Sequence, residues 1–161
     1  MSDRVVSNQL KMGENWRVAM SALANLFLTT HRTLSEATPV GPTELLIYVT
    51  VSVANIQKLM RERAIPAGFA ATEILPREWV VPISRNAIAT ASGLPRETVR
   101  RHVAQMIEAG LLIEDPRGGV TVPIGAIKNP RLEPLLETLL TDFARSAEVL
   151  LRSGVIEIHK D

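Results

Sequence analysis

Residues Ile83 to Val122 read ISRNAIATASGLPRETVRRHVAQMIEAGLLIEDPRGGVTV, and this stretch decides the fold. Ser84 is placed to cap a helix whose buried positions are Ile88 and Ala89, and Gly93 supplies the backbone freedom for a tight turn. A second helix, Pro95–Ala109, opens at a proline, which the first helical turn tolerates. Val99, Val103, Met106 and Ile107 recur on one side of it at helical spacing. Arg96, Glu97, Arg100 and Arg101 crowd the first turns of the other side. Gly110 ends the helix, Leu111–Glu114 reads as a short strand, Asp115-Pro116-Arg117-Gly118-Gly119 is turn chemistry, and Val120–Val122 returns as a second strand. Trp79–Ile83 is β-prone and offers a third strand, with Pro82 restricted to an unpaired edge position.

Two helices, a tight turn and a two-stranded wing make a winged helix-turn-helix over residues 79–123. The expected fold class is mainly α with a small β wing, the winged module being flanked by N- and C-terminal helices. A helix that presents long polar side chains from its first two turns suits the major groove of double-stranded DNA. There a guanidinium bonds a guanine edge bidentately and a carboxylate accepts from the cytosine amino group.

The segment Ile83–Met106 resembles the DNA-binding end of the catabolite-activator and fumarate-nitrate regulator family, whose recognition helix carries Arg-Glu-Thr-Val-x-Arg. Arg96, Glu97, Thr98, Val99 and Arg101 match that pattern here. The resemblance implies base contacts from Arg96, Glu97 and Arg101, and phosphate contacts from Thr98 and from Arg85 at the start of the preceding helix. It covers only about 40 of 161 residues. The upstream half of that family is a β-roll for cyclic nucleotide or a cysteine-bound cluster, and this chain has neither the strands nor the cysteines, so no effector and no cofactor is carried over. The plan of helices before and after a winged module resembles MarR-type regulators, which dimerise through terminal helices. Ala-Gly-Leu-Leu at the helix end occurs in other winged families too, the GntR type among them. Arg100 is read as a phosphate contact at the groove edge. For Arg117, at the wing tip, a minor-groove or phosphate contact and an ordinary solvated turn residue stand as equal alternatives.

The chain's length suits one compact domain, residues 1–161. A hydrophobic fraction of 46% with 22% charged residues is that of a globular protein. With no cysteine, disulfides and thiolate metal sites are excluded, and three scattered histidines have no ligand spacing. No nucleophile motif, carboxylate pair or phosphate-cradling loop occurs, so a non-enzyme is expected, with no catalytic or metal residues. MSDRVVSNQL lacks the apolar core of a secretory leader, and Leu45–Ile56 is too short for a membrane span, so a cytoplasmic protein is expected. The net charge of +1 hides an uneven distribution. Arg85, Arg96, Arg100, Arg101, Arg117, Lys128 and Arg131 outnumber Glu97, Glu108, Glu114 and Asp115, while acidic residues outnumber basic ones beyond position 131.

Residues 1–13 read as a loose tail. Trp16, Ala19, Met20, Leu23, Leu26 and Phe27 predict an amphipathic helix over Asn15–Ser35. Leu45–Ile56 admits strand or helix; a start at Thr43 and Glu44 and a pattern that runs on to about Ala64 favour a buried helix. Residues 14–64 would thus supply the N-terminal helices. After an irregular stretch with a turn of helix around Phe69–Ile74, the module and a linker at 125–130, Asn129-Pro130 opens a last helix. This helix, 130–153, has Leu132, Leu135, Leu136, Leu139, Leu140, Phe143, Ala147, Leu150 and Leu151 on one broad face, and Ser153-Gly154 closes it. VIEIHKD is a short strand or a tail. The flanking helices carry more apolar surface than the module's own core needs. Either they meet a second chain or they pack on one another in a monomer; the need to span two half-sites favours a homodimer. Trp16, Phe27, Tyr48 and Phe69 offer walls for an unidentified small-molecule effector, or are plain core. The expected function is a dimeric transcriptional regulator of bacterial type; the alternative is a winged-helix protein–protein module with no specific DNA target.

Overall fold

In a computed structural model of the chain, residues 3–38, 40–71, 74–128 and 132–160 are described. The chain divides into two compact units, Met1–Ala37 with Arg131–Asp161, and Thr38–Pro130. This differs from the single compact unit expected from composition, and the division runs between the two N-terminal helices that were grouped over 14–64. The reason is pairing: the first long helix finds its partner at the far end of the chain, while the second supplies core to the central module.

The first unit is a helical hairpin with a two-stranded ribbon. Strand β1 (Arg4–Ser7) and helix α1 (Gln9–Glu14) occupy what was expected to be a loose tail, and α2 (Trp16–Ala37) follows. The chain then passes through the second unit and returns at position 131. Helix α8 (Leu132–Arg152) and strand β4 (Ile156–His159) complete the first. β1 pairs antiparallel with β4, Arg4 opposite His159 and Ser7 opposite Ile156. A four-residue strand has no signature of its own without its distant partner, which is why the tail reading missed it. Asn8 fastens the corner: its Oδ1 accepts from Lys11 N at 3.0 Å to cap α1, and its Nδ2 donates to Glu157 Oε1 at 2.7 Å. On the α2 side the buried residues of the inner seam with α8 are alanines. Ala19 and Ala22 are buried with Leu150 and Val155, and Ser146 Oγ donates to Ala22 O at 3.4 Å. The expected helix start at Asn129-Pro130 lies outside the described residues.

In the second unit, α3 (Pro42–Asn55) is a helix, as its apolar run and Pro-Thr-Glu start indicate. It does not reach Ala64. The helix breaks at Asn55 and Ile56, and a single turn, α4 (Gln57–Met60), continues beyond. Asn55 is buried because it serves two other segments: Nδ2 donates to Val81 O at 2.8 Å and Oδ1 accepts from Val122 N at 2.9 Å. The irregular stretch holds α5 (Ala67–Ala70), slightly before the turn expected at Phe69–Ile74, and a 3-10 turn at Arg77–Trp79.

Helices α6 (Arg85–Ser92) and α7 (Arg96–Glu108) then follow across Gly93, which has φ +73°. Ser84 Oγ caps α6 by accepting from Ala87 N at 3.2 Å. A hairpin of β2 (Ile113–Glu114) and β3 (Val120–Thr121) comes next, shorter than the expected strands. The third strand over Trp79–Ile83 contracts to one antiparallel bridge between Ile83 and Val120. Pro82 has no N–H to donate, and Val81 N goes instead to Asn55 O at 3.0 Å. All these elements close on one core of Ile47, Val51, Ile88, Val99, Val103, Met106, Leu112 and Val120. The apolar residues assigned to α6 and α7 from spacing are the ones buried; Ile107 packs partly buried against them.

Candidate nucleic-acid interface

Burial of Val99 and Val103 turns the opposite side of α7 outward, and Glu97 and Arg101, one turn apart, share that side. Arg96, Glu97, Arg100 and Arg101 are all exposed, and Thr98 is half-buried. The four charged residues are not equivalent. Glu97 grips Arg100, Oε2 accepting from Nε at 2.9 Å and Oε1 from Nη2 at 2.6 Å. These bonds hold the Glu97 carboxyl below the usual carboxylate range. Arg100 is therefore neutralised locally, and the free positive charge of the helix's first turns resides on Arg96 and Arg101. Arg96 has no side-chain partner among the described residues.

Arg101 Nη2 reaches His102 Nε2 at 3.4 Å, and His102 Nδ1 donates to Glu44 Oε1 at 2.6 Å. Glu44 stands in the first turn of α3, and its own backbone N–H together with His102 lowers its carboxyl below the ordinary range against the opposing effect of burial. An ionised Glu44 fixes the His102 tautomer with the proton on Nδ1, leaving Nε2 as an acceptor facing Arg101. Sequence reasoning placed Glu44 at a helix start and counted His102 among three scattered histidines. It did not join them, because 58 residues separate them.

The remaining two cations are tied to the hairpin. Arg85, in the first turn of α6, forms an ion pair with Glu114 on β2. Arg117 bonds Asp115 through Nε and Nη2, both at 2.9 Å, and donates further to Arg77 O at 3.1 Å and Val80 O at 3.0 Å. Four of its five N–H groups are thereby used. Arg77 adds a second cation to Asp115 at 3.3 Å, and the Asp115 carboxyl is driven far below the carboxylate range, chiefly by the Arg117 side chain. Arg117 thus fastens the hairpin turn to residues 77–80, a role beyond both the DNA contact and the solvated turn residue considered from sequence. Its single remaining N–H limits it to one further bond.

The four aromatic residues considered as effector walls divide between the units, Trp16 and Phe27 in the first, Tyr48 and Phe69 in the second. Within the first unit a groove of about 590 Å³ is lined by Arg17, Ser21, Asn25 and Arg145; within the second, a cleft of about 320 Å³ is lined by Tyr48, Leu111, Ile124 and Lys128. Among the described residues there is no cluster of three or more metal-ligating side chains, and no helix long and apolar enough to cross a membrane. No protein-family model, curated protein or solved structure matches the chain.

Proposed function

We propose that the Thr38–Pro130 unit is a winged helix-turn-helix that reads double-stranded DNA, and that the protein is a transcriptional regulator working as a homodimer. In this reading α7 enters the major groove, Arg96 and Arg101 bond guanine edges, and Glu97 accepts from a cytosine amino group. Arg85 and Arg100 exchange their carboxylate partners for phosphates, Thr98 adds a weaker phosphate contact, and Arg117 holds the wing in place with at most one bond to DNA. The carrying observation is the two-sidedness of α7: three buried core residues fix its roll, and two unneutralised arginines project from its exposed first turns. A helix serving only as core has no need of two guanidinium groups without a carboxylate partner there.

The test is a titration of randomised and selected duplexes at two salt concentrations. Arg96→Ala and Arg101→Ala should relax preference at one base pair each, by about 1–3 kcal/mol. Arg85→Ala should weaken all sequences alike and lower the salt dependence. Uniform losses in all three variants contradict base reading. Absence of binding beyond the non-specific range of about 10⁻⁴–10⁻⁶ M favours the protein-interaction alternative.

A further inference from the structure

The helical hairpin of the first unit has too small a core for its length. Among the described residues, helices of 22 and 21 residues bury only Ala19, Ala22, Ser146 and Leu150 in their seam. Larger side chains stand outside. On α2, Trp16, Met20, Leu23 and Phe27 repeat at four, three and four residues and are exposed, Trp16 by 59% and Phe27 by 68%. On α8, Leu136, Leu140 and Phe143 repeat at four and three, and Phe143 is 58% exposed. Spacings of this kind mark a continuous helical stripe. From sequence, Leu139 and Leu150 seemed to share one broad face with Phe143. The structure separates an inner seam from an outer stripe.

The outer stripe lies about 100° round α2 and about 70° round α8 from the buried seam residues, in the same rotational sense, as 3.6 residues per turn requires. The helices run antiparallel, with Ala22 beside Ser146 and Asn15 beside Ser153. Rotation in the same sense on antiparallel neighbours brings the two stripes onto the same side of the hairpin. The opposite side is a groove where Arg17, Ser21, Asn25 and Arg145 stand among Val18 and Val149. One face thus carries the large apolar side chains, and the other mixes small apolar residues with charged and polar ones.

We infer that a second copy of this chain covers the apolar face, the two hairpins forming a two-fold four-helix bundle. The inference names the surface behind the dimer proposed above and rests on that part of the reading, not on DNA binding. Area supports the choice of occupant. Seven side chains about half exposed offer roughly 100 Å² each, about 700 Å² per copy, close to the ~800 Å² that each partner of a stable interface contributes. Composition supports it too: the stripes hold no charged residue, so the face is self-complementary by apolar contact alone and needs no matching charge pattern on a different partner. Knobs from the outer stripes of one hairpin, filling the holes of the other, would supply the large-residue core that the alanine-rich seam lacks.

Sedimentation of the full chain, without DNA, tests this. The parent should run at twice its 17.7 kDa chain mass. Leu23→Glu with Phe143→Glu should run as a monomer at least 100-fold above the parent's dissociation constant, whereas Ser21→Glu, on the groove side, should remain dimeric. The sequence has two tryptophans, so in a Trp79→Phe background Trp16 reports on the face without any charged replacement. Its acrylamide quenching should be low at dimer concentrations and rise several-fold on dilution. A monomeric parent, a double variant that stays dimeric, or a dimer whose Trp16 quenches freely would each overturn the inference. A normal dimer that fails to bind DNA leaves it standing and overturns the functional reading instead.

Discussion

Replacing Asn55 by alanine should destabilise the second unit by about 2–4 kcal/mol. The residue is 2% exposed, and its amide is the only side chain bonding both Val81 O and Val122 N among the described residues. Alanine leaves that carbonyl and that N–H without partners, and an unsatisfied buried group costs about 1–3 kcal/mol. Both backbone groups are partly rather than fully buried, so the lower half of the doubled range applies. Aspartate sharpens the test. It keeps an acceptor for Val122 N but turns an acceptor toward Val81 O in place of the donor. Burial and the facing carbonyl then raise its pKa above the unfolded value of about 3.9. A raised folded pKa means the native state binds the proton more tightly, so the Asn55→Asp protein should gain stability as pH falls from 7 toward 4, when the acid can donate to Val81 O. Urea unfolding followed by fluorescence reports on this unit alone in a Trp16→Phe background. There Trp79, which lies edge-on to Phe69 with Lys58 4.9 Å above its ring, is the sole tryptophan and is excited selectively at wavelengths beyond the absorption of Tyr48. A loss below about 1 kcal/mol for alanine, or an aspartate variant whose stability is flat with pH, would refute the bridging role.

Two further outcomes are expected. A Cβ on Gly119 would stand 2.6 Å from Ile83 O at φ +85°, whereas one on Gly118 meets open space at φ +95°. Both alanine variants carry the left-handed strain of about 1–2 kcal/mol, but only Gly119→Ala must also displace the Ile83–Val120 bridge. It should lower Tm further and lose amide-exchange protection at Val120; equal effects at the two sites would argue against close packing there. Glu44 has its carboxyl pKa depressed in the folded state, so its contribution is present above the unfolded value of about 4.3 and is lost as pH falls through the folded value. The stability gap between the parent and Glu44→Gln, measured by denaturation, should therefore be widest near pH 7 and close below pH 4. A gap independent of pH would show that the His102 contact does not depend on ionised Glu44.

What the sequence made legible was local. Ser84, Gly93, Pro95 and Gly110 punctuate the central helices by rules that act over a few residues, and the stripe of Val99, Val103 and Met106 announces its own burial. The exposure of Arg96, Glu97, Arg100 and Arg101 on α7 followed from the same periodicity, since whatever is not on the buried side must face outward. What stayed hidden was long-range. β1 means nothing until β4 lies beside it, Asn55 looks like an interruption in an apolar run until Val81 and Val122 are brought to it, and Glu44 gains its role only through His102. Arg117 shows the same limit in a short segment: its turn was plain from Asp-Pro-Arg-Gly-Gly, but the carbonyls of Arg77 and Val80 that occupy it were not. The two apolar stripes on α2 and α8 were merged from sequence because a single broad stripe and two adjoining ones have the same composition.

The register of Arg4 opposite His159 has a consequence for synthesis. The central unit is a continuous run of chain and is made in full before α8 exists, so it is free to fold while translation continues. The first unit has no such freedom. Helix α2 leaves the ribosome more than a hundred residues ahead of β4, and at 5–20 residues per second it waits on the order of ten seconds for its partner. Through that interval both its alanine seam and its outer row of Trp16, Met20, Leu23 and Phe27 are open to water, to chaperones and to the same helix on a neighbouring nascent chain. The helix that emerges early is thus the one at greatest risk, exposed for seconds while the continuous central unit is already free to close on its own core.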